Sequence, residues 1–373
     1  MKRGTEKHMI QQLLNLAGIR VQGERPFDIQ VHDPSFFPRV ISGGSLALGE
    51  SYMDRLWDCT ALDQFFERIL SARLDEKARS FKGILWSILK SRITDSQGRR
   101  SAFKIGRHHY DIGNDLFEIM LDKEMNYSCA YWSRVRSLDE AQEAKLELTC
   151  RKLMLEPGMH ILDIGCGWGA FAAYAARRYE VEVTGITVSE HQAAMAGKRC
   201  SALPVNIELK DYRDIDGKYD RIVSIGMFEH VGYVKYRTYM ETVDRCLKSE
   251  GLFLLHTIAN NTSVYTVDPW IEKYIFPNSM LPSARQIIEA VEGLFYLEDW
   301  HSFGLHYDQT LMAWYRNFTK NFSRIQDRYD ERFFRMWTYY LLSCAGSFRA
   351  GRNQLWQIVF SKNGFPGGYA SIR

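Results

Sequence analysis

The chain has 373 residues and a formal net charge of +3, with 48 basic side chains against 45 acidic ones. This length predicts one large domain, or one large and one small domain. Because basic and acidic side chains nearly balance, the overall charge does not indicate a nucleic-acid binder. Any basic patch must therefore be local. Hydrophobic residues make up 46% and aromatic residues 13% of the chain, which fits a large apolar or cationic partner, or simply an aromatic core.

The seven cysteines form no Cys-x-x-Cys pair; they stand at positions 59, 129, 150, 166, 200, 246 and 344. We interpret them as reduced thiols in a cytoplasmic protein and predict no metal site. The first residues lack a long apolar segment and a cleavage site, and no run of 18 apolar residues occurs. Neither a secretory signal nor a membrane span is therefore predicted.

Helical patterning dominates the first part of the chain, interrupted by the turn signals GERP, HDPS and SGGS. We predict a smaller, mainly helical N-terminal domain over residues 1–92 and a linker over 93–105. Between 79 and 107 the chain carries eight Lys or Arg and one acid, Asp95, a local net charge of 8 − 1 = +7. Such a segment either lies on an anionic lipid surface, each nearby cation contributing about 1 kcal/mol, or is a solvated helix packed on the next domain.

After the linker the pattern alternates between strands and helices. Short runs rich in Val and Ile occupy 160–165, 181–187, 205–209, 219–226 and 251–258, with helical stretches at 168–179, 189–201 and 233–248 between them. This alternation predicts an α/β fold, a parallel sheet with helices on both faces. Further strands are predicted at 294–303 and 353–362, separated by helices at 308–326 and 331–349.

The first of these strands runs into a glycine-rich turn, Asp163-Ile-Gly165-Cys166-Gly167-Trp-Gly169. Glycines at alternate positions let the backbone turn sharply and approach a ligand closely. The spacing differs from the G-x-G-x-x-G that binds pyrophosphate, and it resembles motif I of class I methyltransferases. The resemblance implies a Rossmann-like sheet over residues 106–373 that binds S-adenosylmethionine, with Asp163 near the cationic end of the cofactor.

Two further segments extend the predicted cofactor site. Methyltransferases of this class usually place an acid at the end of the second strand for the ribose hydroxyls, whereas this chain has Thr187 there. We predict Gln192 as the substitute ribose partner, with Thr187 nearby. Tyr212 and Arg213 follow the third strand, where adenine contacts normally fall; each of these residues could equally be an ordinary loop residue.

Several longer motifs together resemble cyclopropane fatty acid synthases over nearly the whole chain: GSLALGESYMD, GRHHYDIGNDLFEIMLD, YSCAYW, ILDIGCGWG, RIVSIGMFEHVG, LLHTI, VDPWIEKYIFPN and TLMAWYRNF. Mycolic acid cyclopropane synthases are similar only in the catalytic part, so the N-terminal domain favours the phospholipid-acting branch. The resemblance implies that a methyl carbon from S-adenosylmethionine is added across a cis double bond of an unsaturated phospholipid, giving a cyclopropane ring. It also implies a homodimer bound peripherally to the inner face of an anionic membrane.

The family chemistry requires a base that takes a proton from a carbocation, and the base implied by the resemblance is a bound bicarbonate ion. By motif, its predicted holders are Glu229, His256, Tyr307 and the backbone of Cys129 and Ile258. Tyr127 and Ser128, in the same YSCAYW motif as Cys129, are predicted to contact the cofactor. Taken alone, His256 would be a buried core residue, and His230 receives no role.

For the remaining candidate residues, both a functional role and a packing role are compatible with the sequence. Cys344 matches a cysteine described in the family as a nucleophile, but methyl transfer to an alkene needs no covalent intermediate, and no base adjoins Cys344 in sequence. Trp270, Tyr274 and Phe276 either line an acyl-chain tunnel that shelters the cation or are core aromatics. Two alternative functions are a methyl-branching lipid methyltransferase and a catalytically idle lipid-binding protein on the same fold.

Overall fold

A computed structural model describes residues 3–74 and 113–373, which fall into two compact units. The first contains residues 3–74, Thr266–Pro277 and Tyr307–Asn353; the second contains 113–265, Asn278–His306 and Gln354–Arg373. The predicted linker at 93–105 and the basic segment at 79–107 lie outside the described residues. The predicted domain boundary stays a prediction, although two later segments that it assigned to the catalytic domain group here with the N-terminal residues.

Along the described residues, the α-helices in chain order are α1 (Arg3–Asn15), α2 (Phe36–Met53), α3 (Leu62–Ser71), α4 (Asn114–Met120), α5 (Leu138–Lys152), α6 (Ala170–Tyr179), α7 (Glu190–Cys200), α8 (Tyr236–Cys246), α9 (Pro269–Tyr274), α10 (Ala284–Val291), α11 (Leu305–Asn321) and α12 (Glu331–Arg349). The strands are β1 (Gln30–Val31), β2 (Trp57–Asp58), β3 (His160–Ile164), β4 (Glu182–Thr187), β5 (Val205–Leu209), β6 (Tyr219–Ile225), β7 (Leu247–Asn260), β8 (Tyr296–Ser302) and β9 (Asn353–Ser361).

The first unit is mainly helical, and its only sheet among the described residues is the short antiparallel pair β1 and β2. Helix α12 packs closely on α3 because Gly346 has no side chain: a Cβ there would lie 2.5 Å from the Asp63 carbonyl oxygen. Arg349, at the end of α12, pairs with the carboxylates of Asp63 at 2.7 Å and Asp308 at 2.8 Å. Tight packing and ion pairs therefore fix the same helix.

The second unit is built on a seven-stranded sheet with the order β5-β4-β3-β6-β7-β9-β8. The pairs β4–β5, β3–β4, β3–β6 and β6–β7 are parallel, whereas β8 and β9 are antiparallel. From β3 the chain adds β4 and β5 on one side of the sheet and then β6 and β7 on the other. The carboxyl ends of β3 and β6 therefore lie at the point where the strand order reverses. Ligands bind at this point in open α/β sheets.

Both faces of the sheet are covered, because successive residues of each strand point to opposite sides. Leu162 and Ile164 belong to a core shared with α8 and α10, whereas Ile161 belongs to a core shared with α5 and α6. The predicted α/β fold with flanking helices is therefore confirmed. Each strand predicted from the Val- and Ile-rich runs is present, and β7 is longer than predicted. Four helices, α4, α5, α9 and α10, and the short strands β1 and β2 were not predicted.

No helix within residues 3–74 or 113–373 is long and apolar enough to cross a membrane. The same residues contain no group of three or more His, Cys, Asp or Glu arranged to hold a metal ion.

Candidate functional site

The glycine-rich turn after β3 has the backbone that its sequence predicts. Gly165, Gly167 and Gly169 have φ angles of +85°, +54° and +80°, a left-handed conformation that glycine adopts without steric cost. A Cβ on Gly167 would meet nothing within 4 Å, whereas one on Gly165 would lie 2.8 Å from the Met227 side chain. The turn therefore leaves open space beside Gly167, as a cradle for a ligand requires.

Asp163 lies directly before this turn and is buried, at 1% exposure. Burial raises the pKa of its carboxyl to about 7, although the positive charge of Lys145 acts in the opposite direction. Among the described residues, none forms a hydrogen bond with Asp163 Oδ2. A buried carboxyl oxygen without a partner costs free energy, and a cationic or hydrogen-bonding ligand would recover it.

Thr187 and Gln192, the predicted ribose partners, are brought together by the structure. Thr187 Oγ1 donates to Gln192 Oε1 at 2.9 Å, and both side chains are buried. The amide nitrogen of Gln192 remains a donor that suits a hydroxyl oxygen. Arg213 pairs with Asp211 at 2.6 Å, beside the buried ring of Tyr212, so the predicted adenine segment is held in a fixed turn.

Glu229 follows β6 in a short 3-10 helix, Phe228–His230. Its Oε1 accepts a hydrogen bond from the Ile258 N–H of β7 at 2.6 Å, and no described residue forms a hydrogen bond with Oε2. Burial raises the pKa of Glu229 to about 7. The Ile258 N–H, predicted to hold bicarbonate, thus donates its hydrogen bond to Glu229. To contact bicarbonate as well, this N–H would have to share its hydrogen bond between Glu229 and the ion.

His256 lies on β7 opposite Ile225, the last residue of β6. Its Nδ1 is 3.2 Å from the side-chain nitrogen of Gln357 on β9, whereas its Nε2 has no hydrogen-bond partner among the described residues. Burial lowers the pKa of His256 well below its usual value, and the charges of Lys145 and Lys152 act in the same direction. The ring is therefore neutral.

Side chains of helix α5 form hydrogen bonds with the YSCAYW segment, residues 127–132, and with the residue before it. Lys145 Nζ donates to Asn126 Oδ1 at 2.8 Å and to Ser128 Oγ at 3.2 Å, and Gln142 donates to the Ser128 carbonyl at 2.9 Å. Cys129 is buried, and the ring of the neighbouring Tyr127 packs edge-on against Phe117. The Ser128 hydroxyl thus has a fixed position.

The remaining predicted site residues lie in the first unit. The Tyr307 ring is buried and stacks on Phe348, with centroids 4.6 Å apart. Trp270 is buried against Tyr339, at 4.5 Å. The other members of this group are Tyr274, whose hydroxyl donates to Glu50 at 2.9 Å, Phe276, whose ring lies 5.8 Å from that of Tyr340, and Cys344.

Burial raises the pKa of the Cys344 thiol to about 12. The thiol is therefore protonated at neutral pH, whereas a nucleophilic cysteine reacts as the thiolate. This favours the packing interpretation of Cys344 over the nucleophilic one.

Sequence reasoning missed the groups beneath the site: Lys145, Thr149 and Gln357. A signal was present, because Gln142, Lys145, Thr149 and Lys152 recur at helical spacing on one face of α5. A polar stripe at that spacing normally indicates a solvated face. Here the stripe is buried, so it indicates a polar site close to the carboxyl ends of the central strands.

The residues at these strand ends fit the two predicted ligands. Asp163 Oδ2, Glu229 Oε2 and His256 Nε2 are buried polar atoms that no described residue satisfies. Asp163 lies near the end of β3, Glu229 lies just after β6, and His256 lies on β7 beside the last residue of β6. A cofactor with an ammonium group suits the carboxyl beside the glycine turn, and a small oxyanion suits a protonated carboxyl with a neutral imidazole.

Comparison with known proteins is consistent with this geometry. Residues 97–358 match the family model of "Mycolic acid cyclopropane synthetase". The chain is 54% identical to the "Cyclopropane-fatty-acyl-phospholipid synthase" of Escherichia coli strain K12, over 94% of this chain and 92% of that protein. It is 31% identical to the "Tuberculostearic acid methyltransferase UfaA1" of Mycobacterium tuberculosis, over 90% of this chain and 83% of that one.

Among solved structures, mycolic acid cyclopropane synthase CmaA1 "complexed with SAH and CTAB" matches with a TM-score of 0.65 and 34% identity. The match covers 70% of this chain and 98% of CmaA1.

Proposed function

The chain belongs to the mycolic acid cyclopropane synthetase family and is an S-adenosylmethionine-dependent methyltransferase, and from this premise we propose that it makes cyclopropane rings on unsaturated phospholipid acyl chains. The observation that carries the proposal is the match to the Escherichia coli synthase, which spans almost the whole of both chains. That match includes the N-terminal residues, which the mycolic acid model leaves uncovered.

In the proposed reaction, the cis double bond attacks the sulfonium methyl, the resulting carbocation loses a proton from that methyl to bicarbonate, and the C–H electron pair closes the ring. S-adenosylhomocysteine and carbonic acid are the other products. An alkene is a weak nucleophile and a carbocation reacts with water, so the protein must orient the reactants and exclude water.

Glu229 and His256 are the proposed side-chain holders of the bicarbonate, together with the backbone of Cys129 and Ile258. Because burial raises the pKa of Glu229 to about 7, this side chain can carry a proton at neutral pH. A protonated Glu229 donates a hydrogen bond to an anion, whereas two negative charges in one buried site would repel each other.

Asp163 and the glycine turn are the proposed holders of the cofactor's amino acid end, with Tyr127, Ser128 and Cys166 beside them. The proposal assigns the ribose to Thr187 and Gln192 and the adenine to Tyr212 and Arg213. The roles of Tyr307 at the bicarbonate and of Trp270, Tyr274 and Phe276 along the acyl chain stay predictions from the sequence.

The test is incubation with labelled S-adenosylmethionine and monounsaturated phospholipid vesicles. We expect acyl chains that gain one CH2, resist ozonolysis and show the upfield proton NMR signals of a cyclopropane methylene. Acyl chains that gain the carbon as a branch, without these signals, would refute the ring-forming proposal.

The second candidate, methyl branching of lipid chains, is supported by the likeness to the tuberculostearic acid methyltransferase. Such an enzyme would resolve the same carbocation without closing a ring. The product analysis above separates the two, because a branched alkene remains open to ozonolysis.

The bicarbonate proposal has its own test in Glu229→Gln. We expect this variant to bind S-adenosylmethionine as the wild type does, by isothermal titration, while turnover falls roughly 100-fold or more, since the glutamine amide can donate a hydrogen bond but cannot take up or release a proton as Glu229 can. Added bicarbonate should restore wild-type turnover in CO2-depleted buffer and restore the variant little. Full activity of the wild type in CO2-free buffer would contradict the proposal.

We further propose that the protein acts as a homodimer in the cytoplasm, on an anionic membrane surface reached through the basic segment 79–107. Light scattering after gel filtration tests the dimer, and a monomer that turns over at the full rate would refute it.

A further inference from the structure

Helix α5 places a row of polar side chains under the sheet. Gln142, Lys145, Thr149 and Lys152 lie three or four residues apart, and each is at most 1% exposed. Their neighbours Leu146 and Cys150 belong to the apolar core. Polar groups in such surroundings cost free energy unless they are hydrogen-bonded. The hydrogen-bond partners of these four side chains therefore show which groups the row holds in place.

Three strands present polar groups to the same face. Asp163, His256 and Gln357 each lie two residues from a member of the α5-side core: Ile161, Leu254 and Val359. Because side chains two apart on a strand share a face, all three point toward α5. Thr149 contacts Gln357 directly: the Gln357 side-chain nitrogen is 3.2 Å from Thr149 Oγ1.

The orientation of the Gln357 amide follows from Thr149. The Thr149 hydroxyl donates its single proton to the Lys145 carbonyl at 2.8 Å, so its oxygen can only accept from Gln357. The Gln357 nitrogen must therefore face Thr149, since the reverse orientation would bring two acceptors together. The same nitrogen is 3.2 Å from His256 Nδ1, and its second hydrogen is donated there.

This orientation of the Gln357 amide determines the tautomer of the His256 imidazole. A neutral histidine carries one ring proton, and a ring nitrogen that accepts a hydrogen bond does not bear it. His256 Nδ1 accepts from Gln357, so the proton is on Nε2. Within residues 3–74 and 113–373, no group accepts a hydrogen bond from that N–H.

We propose that Thr149 and Gln357 are positioning residues that hold His256 in its Nε2–H tautomer, so that it presents a hydrogen-bond donor to an oxygen of the bound anion. The inference rests on the proposed function in one respect, that an oxyanion binds beside His256. It assigns His256 to holding the anion and excludes it as the base, because its only available ring position already carries a proton. The proton from the substrate must then go to the anion.

The test is 15N NMR of histidine-labelled protein without cofactor or lipid, with His256 assigned by the signal lost in His256→Gln. We expect the Nε2–H tautomer in the wild type. Gln357→Glu should move the ring proton to Nδ1, because a carboxylate only accepts. Thr149→Val should give a mixture of tautomers, whereas Thr149→Ser should keep the wild-type signal.

The control is Gln286→Leu, which removes a buried glutamine from α10 and should leave the His256 signal unchanged. In turnover assays, Gln357→Glu should lower kcat at least about tenfold with KM for S-adenosylmethionine within roughly twofold, as a defect in anion holding predicts. An Nδ1–H tautomer in the wild type, or the same tautomer in wild type and Gln357→Glu, would overturn the inference.

If Gln357→Glu does not fold, the pair Thr149→Val and Thr149→Ser decides the question alone, since both are close in size to threonine. The NMR readout needs no substrate. A protein that makes no cyclopropane would therefore refute the proposed function while leaving the tautomer result to stand or fall by itself.

Discussion

Asp163 and Glu229 are buried carboxyls at the ends of β3 and β6, and burial raises the pKa of each to about 7. Both therefore titrate where most carboxyls are fully ionised. Groups with such pKa values cluster at functional sites, and here each has one oxygen that no described residue satisfies. Folding retains them although they cost stability, which is expected where a ligand completes the site.

This cost predicts a pH dependence of stability. Between the usual glutamate pKa of 4.5 and the raised value of about 7, the folded state binds more protons at Glu229 than the unfolded state. Its contribution to stability is therefore complete below about pH 4.5 and is lost as the pH rises toward 7. Between about pH 5 and 7.5, wild type should lose on the order of 2 kcal/mol more unfolding free energy than Glu229→Gln.

Urea denaturation of ligand-free protein at the two pH values measures this difference. Asp163 contributes equally to both proteins, so the comparison isolates Glu229. Equal pH slopes for the two proteins would mean that Glu229 titrates normally.

For Cys344 the raised thiol pKa of about 12 predicts a dispensable side chain. Cys344→Ser should retain most of the methyl transfer activity, within about threefold, since a packing change of this size acts on stability rather than on chemistry. Activity is measured on phospholipid vesicles and the fold is checked by circular dichroism. Complete loss of turnover with an intact fold would identify a chemical role for the thiol.

At the scale of elements, strands β3 to β7 were predictable because each contains a short run rich in Val, Ile or Leu. Helix α5 was missed because its buried face carries Lys145 and Lys152 in place of apolar residues. The sequence nevertheless contains its start: Ser137 and Glu140 form a capping box, the S-x-x-E signature of a helix N-terminus. Ser283 and Gln286 begin α10 in the same way.

The site was predictable only in part, for physical reasons. The glycine turn encodes its backbone locally, so Gly165 and Gly167 could be identified from spacing alone. The bond from Ile258 to Glu229 and the contact of Gln357 with His256 join strands far apart in sequence. Such contacts depend on strand order and register, which no local pattern specifies.

The glycine turn also predicts a pair of matched variants. In Gly165→Ala the new Cβ would lie 2.8 Å from Met227 at a φ of +85°, so the turn must shift, at a cost of about 1–3 kcal/mol. S-adenosylmethionine affinity should fall roughly tenfold or more as the turn moves.

Gly158→Ala is the control, because Gly158 precedes β3 at a φ of +81° with nothing within 4 Å of an added Cβ. It should cost about 1 kcal/mol in backbone strain and leave cofactor affinity unchanged. Calorimetric titration and denaturation measure both quantities. Equal loss of affinity in the two variants would mean that strain, and not the position of the turn, decides binding.

At the scale of the whole molecule, charge is nearly balanced except in the basic segment 79–107, whose local net charge is +7. Neutralising Arg99, Arg100 and Lys104 with alanine should weaken binding to anionic vesicles by about 3 kcal/mol, roughly 100-fold, at about 1 kcal/mol for each cation. Vesicle sedimentation measures this, with zwitterionic vesicles as the control. Unchanged binding to anionic vesicles would place the membrane contact elsewhere.

The division of the chain into units has a consequence for biosynthesis. The first unit draws on three separated segments, the last of which ends at Asn353, and β9 lies between β7 and β8 in the sheet although it is the last strand in sequence. On the ribosome, therefore, neither unit can be completed until residues as late as β9 (Asn353–Ser361) have emerged. Domains usually fold in order as they are synthesised. This nascent chain must instead keep the apolar strands β3 to β8 from aggregating until β9 has been synthesised.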